Sequence, residues 1–221
     1  MIDDFRPKRV VSGGQTGVDR SALIAAAILK IDHGGYCPIG RLAEDGEIPA
    51  CYPMTECESR VYLVRTRLNI EHSDATLVLL HEYPPSGGTK RTIEFARSLE
   101  RPYASYQLDF TAADDYHRSL ARSIRAWWRF LEPASLNVAG PRESKAPGIQ
   151  DLATYVMLLA LQTPAHCICG RDTPDFVWEK AKARDLPVKC SKCAHVTRWS
   201  DFLHEGIDGR EATRAGAGQA P

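Results

Sequence analysis

Nowhere in the 221 residues does an apolar run approach the roughly 20 needed to span a bilayer as a helix, and the opening MIDDFRPKRV has no apolar core of a secretory leader. These absences argue against a membrane partner and predict a cytoplasmic protein. Charge of one sign is not in excess either: 28 Lys and Arg balance 28 Asp and Glu, so no global positive field draws the chain to nucleic acid or anionic lipid. Small-molecule chemistry therefore leads. Internal repeats are missing, and so is an even set of cysteines. There are seven, four of them between Cys167 and Cys193, which suits reduced thiols and a metal better than a disulfide framework.

A chain of this length can bury one sizeable core with a small appendage. Over the first 160 or so residues, apolar runs alternate with helical patterns. RVVS reads as a first strand and Asp19 to Leu29 as a helix, followed by a Gly- and charge-rich loop from His33 to about Pro53. A helix from Tyr62 to Ile70 leads to ATLVLL, Ala75 to Leu80, a continuous apolar run typical of a strand buried on both faces of a parallel sheet. Thr89 to Leu99 reads as helix, Tyr103 to Leu108 as strand, Asp114 to Leu131 as a long helix, Ser135 to Gly140 as strand and Ile149 to Leu161 as helix. This alternation predicts an α/β fold, Rossmann-like and doubly wound on a mainly parallel sheet, over residues 1–162. After Pro164 the texture changes to cysteine, proline and charge. Residues 163–205 are expected to form a small module, and the Gly/Ala-rich 206–221 a disordered tail.

Ligands of open parallel sheets sit beyond the carboxyl ends of the strands, where loops meet helix N-termini. Three loops fit. Ser12-Gly13-Gly14-Gln15-Thr16-Gly17 leaves the first strand, Ser86-Gly87-Gly88-Thr89 opens a helix after ATLVLL, and Ala139 to Ser144, with Gly140 and Arg142, leaves LNV. Glycine lets backbone N–H groups approach an anion, and the helix dipole favours negative charge there, so converging loops would make a phosphate pocket. Glycine after a strand is also ordinary turn chemistry. The first loop matches neither G-x-G-x-x-G, because Ser12 and Gln15 stand at glycine positions, nor a P-loop, because no Lys-Ser/Thr follows Gly17; a conventional dehydrogenase or NTPase is disfavoured.

The blocks SGGQTGVDRSAL, HGGYCPIGRLAEDGEIPACYPM, RTRLNIEHSDATLVL, GGTKRTIEFA and LNVAGPRESKAPGI, in that order from Arg9 to Leu161, closely resemble the family of putative molybdenum carriers. That family is a circularly permuted, YpsA-related branch of the SLOG superfamily, which includes LOG-type phosphoribohydrolases and the DNA-processing protein DprA. The resemblance implies a Rossmann-like sheet that binds a phosphorylated ligand, either a molybdenum cofactor-like pterin or a nucleotide, and, by analogy with LOG-like relatives, a homodimer. A second resemblance bears on chemistry. Cytokinin-activating phosphoribohydrolases carry an Arg eight residues before Ser-Asp, then P-G-G-x-G-T-x-x-E; here Arg65 precedes Ser73-Asp74 by eight, and Glu94 follows Gly87-Gly88 at the matching distance. Arg65 and Glu94 thus look like that catalytic pair, with Glu94 steadying an oxocarbenium-like state or activating water and Arg65 orienting an anion. Ser86 replaces the motif's Pro, and Lys90-Arg91 its Gly-Thr.

Asp19 and Arg20 crowd the first helix start: Asp19 either complements the dipole or joins Arg20 at an anion. Arg41 lies in GRLAEDGE, a lid or sugar clamp on one reading and a solvated loop on the other. Asn69 shares a helix face with Arg65, and the guanidinium of Arg142 suits phosphate in a bidentate way. In the appendage, Cys167 and Cys169 are followed twenty residues on by Cys190 and Cys193. Two close pairs are how a zinc ribbon assembles four thiolates, and some forty residues have too little core without such a staple, so a structural zinc is expected, with His166 as an alternative ligand or a thiol-disulfide site as an alternative role. Residues 164–205 carry seven Lys/Arg against six Asp/Glu, a balance that argues against a nucleic-acid-tracking surface.

Overall fold

The computed structural model describes residues 5–162 and the strand residues 176–177, 187–190 and 196–198. β1 (Arg9–Val11) runs into α1 (Val18–Ile28), then β2 (Asp32–Cys37), a small hairpin of β3 (Leu42–Ala43) and β4 (Gly46–Glu47), and β5 (Met54–Glu56). α2 (Tyr62–Glu71), β6 (Ala75–Leu80), α3 (Gly87–Ser98), β7 (Tyr103–Gln107), α4 (Asp114–Leu131), β8 (Ser135–Ala139) and α5 (Ile149–Leu161) follow. The six-stranded sheet has the order β5-β2-β1-β8-β6-β7, and every pairing in it is parallel. The expected doubly wound α/β architecture is therefore present.

All six residues of β6 are buried, as an unbroken apolar strand between two helical layers requires. α1 and α4 flank α5 on one face, while α2 and α3 pack together on the other, the arrangement right-handed crossovers impose. α4 turns Leu120, Ala121, Ile124 and Trp128 inward along one stripe, and α5 is buried on most sides, from Ile149 through Leu161. Each fully buried Leu, Ile or Val contributes about 1.5–3 kcal/mol relative to exposure. No helix of the described residues is long and apolar enough to cross a membrane.

The segment from His33 to Pro53, expected to be loop, contains β2 and the β3–β4 hairpin. Gly34 and Gly35 read as a turn in the sequence, but they lie in the strand at φ of 150° and 140° because nothing larger fits: a Cβ on Gly35 would come within 2.1 Å of the Ser12 carbonyl oxygen, and one on Gly34 within 2.4 Å of the Pro53 carbonyl oxygen. These glycines let three backbones approach one another beside the first glycine loop.

The chain divides into two units, Met1–Pro164 and Ala165–Pro221. In the second, β9 (Phe176–Val177), β10 (Pro187–Cys190) and β11 (Val196–Arg198) form an antiparallel sheet in the order β11-β10-β9. Cys167, Cys169, Cys193, His166 and the segment 206–221 lie outside the described residues.

Candidate ligand cleft

Six parallel strands point their carboxyl ends to one edge, and a cleft of about 460 Å³ opens there. Its floor comes from Gly13 after β1, Leu80 and His81 at the end of β6, and Asn137, Ala139 and Gly140 on and after β8. One wall is the exposed side of α2, with Tyr62, Leu63, Arg65, Thr66 and Asn69; the other is the start of α3. The three glycine loops of the sequence thus meet at one place, each contributing differently.

In the first loop and the helix start after it, Gly13, Gln15 and Asp19 line the cleft, whereas Ser12, Gly14, Thr16, Gly17 and Arg20 do not. Three of the loop's amides are already engaged, Ser12 N–H donating to the Gly34 carbonyl (2.8 Å), Thr16 N–H to Gln15 Oε1 (3.0 Å) and Gly17 N–H to Gln150 Oε1 (3.2 Å), and Val18 N–H at the start of α1 donates to the Pro141 carbonyl (3.2 Å). Gly17 is needed for packing, since a Cβ there would meet the Pro141 oxygen at 2.4 Å; Gly140 likewise abuts Leu79 O and Val18. The Arg65 guanidinium lies over Gly13 and donates to Asp19 Oδ2 at 2.5 Å, where a Gly13 Cβ would fall 1.1 Å from Nη1. A buried guanidinium thus occupies the space that the turn leaves open.

Arg20 and Arg41, expected near an anion, hold loops instead. Arg20 is bidentate to Asp45 (2.6 and 3.2 Å) and bonds the Gly14 carbonyl, tying the β3–β4 hairpin to α1. Arg41 donates to the carbonyls of Ile48, Pro49 and Tyr52. Neither lines the cleft. Asn69 does, while its amide also clamps the Tyr36 backbone through both N–H (2.7 Å) and C=O (3.0 Å).

Glu44 on the same hairpin links the first loop to the third. It accepts from the Thr16 hydroxyl, from the Ser144 amide (3.0 Å) and from the Ser144 hydroxyl, and faces Arg142 at 3.7 Å. Burial acts to raise its carboxyl pKa, but the Ser144 and Thr16 hydrogen bonds and the Arg142 charge outweigh burial and hold it below the ordinary value.

The second loop is the open one. Gly87, Gly88 and Thr89 begin α3, the first helix residues line the cleft, and a Cβ on either glycine would meet nothing within 4 Å. No side chain caps this helix start. Its N-terminal amides and dipole therefore face the cleft beside Arg142 and Lys145, a natural seat for an anion. Glu94 sits two turns further on and does not line the cleft: it pairs with Arg91 (2.9 Å) and Lys90 (3.9 Å) on the solvent side, because the helix buries Thr92, Ile93 and Ala96. Arg65 and Glu94 are not brought together.

Two buried side chains point to a missing partner. Ser12 is fully buried and Gln15 is 5% exposed, yet Ser12 Oγ and Gln15 Nε2 have no hydrogen-bond partner, and Arg65 Nε shares that condition. Gln15 and Arg65 both line the cleft, with these unpartnered nitrogens lying beneath its surface rather than on it. Lys145, His81, Glu82, Asn137 and Tyr62 also line it without having been given a binding role from the sequence; Lys145 and Asn137 stood within a quoted block, and His81 follows directly on β6. Among the described residues no group of three or more His, Cys, Asp or Glu is placed to hold a metal.

Comparison with known proteins agrees with this architecture. The family model described as "Circularly permutated YpsA SLOG family" matches residues 10–161. A crystal structure of the "putative molybdenum carrier protein" of Syntrophus aciditrophicus is similar at 34% sequence identity and a TM-score of 0.67, over 72% of this chain and 97% of that one. No curated protein matches.

Proposed function

We propose, since this chain belongs to the circularly permuted YpsA SLOG family, that its cleft binds a phosphorylated, nucleotide-like small molecule and that the protein carries or senses it. The observation that carries this reading is the uncapped, glycine-faced start of α3, which opens into the cleft beside Arg142 and Lys145. The phosphate would rest on the amides of Gly87, Gly88 and Thr89, with Arg142 reaching it from the opposite loop. The seat is therefore the second glycine loop rather than the first, in which the amides of Ser12, Thr16 and Gly17 are already engaged.

The Syntrophus aciditrophicus relative, named a "putative molybdenum carrier protein", supports a molybdenum cofactor-like pterin as one cargo, with nucleotides as the alternative. Hydrolysis of an N-glycosidic bond ranks below carriage, because Arg65 lines the cleft but Glu94 is turned to solvent against two basic neighbours. For the second unit we propose a structural zinc on Cys167, Cys169, Cys190 and Cys193. Supporting this, Cys190 ends β10, and Cys193 falls in the segment joining β10 to its antiparallel neighbour β11.

Native mass spectrometry of the chain purified from its own host, followed by denaturation, tests the reading. A released phosphorylated heterocycle, lost when Arg142 and Lys145 are both replaced by Ala, is the expected result. An empty protein that also fails to bind purine nucleotides or a pterin phosphate on titration would overturn it.

A further inference from the structure

We infer that the α2 wall of the cleft, Tyr62 and Leu63 above all, is a stacking site for a planar heteroaromatic ring. The ligand then lies with its phosphate at α3 and its ring against α2. This inference rests on the anion-binding reading of the same cleft and extends it to the other end of the ligand.

Four consecutive apolar residues, Val61 to Val64, begin α2, and each is at least a third exposed. Amphipathic helices of an α/β sandwich normally bury such residues, and α2 instead turns Asn69 and Ile70 inward near its other end. Exposed apolar surface grouped in this way marks a binding site more often than a run of isolated residues does. Here it adjoins a cleft, and two of its members, Tyr62 and Leu63, line that cleft.

The surroundings select a ring as the occupant. The Arg65 guanidinium stands over the Tyr62 ring, 6.0 Å from its centroid, and is itself fixed by Asp19, so the phenol is backed by an anchored planar cation. Aromatic rings and guanidinium planes are the surfaces on which nucleobases stack. A bare phosphate at the start of α3 would fill only a small part of a 460 Å³ cleft, and the rest of the lining sets Thr66, Asn69, Thr92 and Asn137 among the apolar Leu80, Ala139 and Pro141. A ligand that carries an anion, hydroxyls and a flat ring matches those surfaces.

Isothermal titration of the full chain with guanosine 5′-monophosphate and with ribose 5-phosphate, which has the same phosphate and no heteroaromatic ring, tests the site. The nucleotide is expected to bind at least tenfold more tightly. Tyr62→Ala should remove about tenfold of that preference while leaving ribose 5-phosphate affinity unchanged, and Tyr62→Phe should retain it. Tyr62 is partly exposed, so the Ala variant should fold, and its melting temperature checks this. Equal affinity of the wild type for both ligands, or an equal loss for both in Tyr62→Ala, would overturn the ring site and leave the phosphate seat standing. Binding of neither ligand would overturn the phosphate seat and the ring site together.

Discussion

Gly13→Ala isolates the Arg65–Asp19 pair with a single methyl group. Gly13 is not among the glycines of left-handed backbone, so the main chain accepts alanine and the consequence falls on what lies above it. The new Cβ would come within 1.1 Å of Arg65 Nη1 and 2.8 Å of Asp19 Oδ2, which evicts the guanidinium. Asp19, 4% exposed, is left with its charge and without its partner. Breaking a buried pair from one side costs about 3–5 kcal/mol. Two effects reduce this: the carboxylate sits in the first turn of α1, where the dipole returns about 0.3–1 kcal/mol, and the freed guanidinium regains water. A net loss of about 2–3 kcal/mol follows, or about 4–12 °C in melting temperature for a unit of this size. Thermal and urea unfolding, followed by tryptophan fluorescence, would measure it. The decisive control repeats the substitution in a chain already carrying Arg65→Ala and Asp19→Asn, where nothing remains to be evicted and alanine should be neutral or stabilising by up to about 1 kcal/mol. The same loss in both backgrounds would refute the argument and place the strain in the turn itself.

Glu44→Gln should destabilise the protein by about 1–2 kcal/mol at neutral pH. The carboxyl pKa is depressed in the folded chain, so the stabilisation is present above the ordinary value of 4.5 and fades as the pH falls through the lower folded value; the melting-temperature gap between variant and wild type should close in acid. Arg20→Ala frees the β3–β4 hairpin by removing the bidentate contact to Asp45. Amide exchange across Leu42–Ala43 and Gly46–Glu47 should rise about tenfold, with a stability loss of about 2 kcal/mol. Glu94→Gln, at a solvent-facing ion pair, should change stability by less than about 0.5 kcal/mol and leave ligand affinity unchanged; a tenfold loss of affinity would return Glu94 to the cleft. Metal analysis should find one zinc per chain, absent when Cys190 and Cys193 are both replaced by Ser.

Much of the fold was legible because apolar periodicity and burial are the same physical fact. ATLVLL, the α4 stripe and the apolar α5 were bounded correctly from the sequence because each buries its side chains whichever neighbours surround it. β2 was not, since its Gly34-Gly35 carries the turn signature and is strand only because Ser12 and Pro53 press against it, a long-range contact without a local trace. The meeting of three glycine loops followed from the parallel topology. The individual roles of charged residues did not. Arg20 and Arg142 look alike in sequence, yet one is consumed by Asp45 and the other faces the cleft, and only the position of the hairpin decides between them. Glu94 stood at a motif's distance from two glycines, but helix phase, set by which side of α3 meets the sheet, turned it outward.

The pairing of β1 with β8 has a consequence for the order in which this protein is made. β1 is one of the two central strands of the sheet and leaves the ribosome well before β8, its partner on one side, which follows more than a hundred residues later, and α5, which packs on α1, is the last element of the first unit. Until then one edge of β1 and the face of α1 are uncovered, and the first glycine loop lacks Gln150 and the Pro141 carbonyl that hold its amides. The nascent chain therefore has its cleft walls before its floor is complete. Formation of the binding site is tied to completion of the whole first unit, and any stall in synthesis before β8 emerges leaves one edge of a central strand open for chaperones to shield.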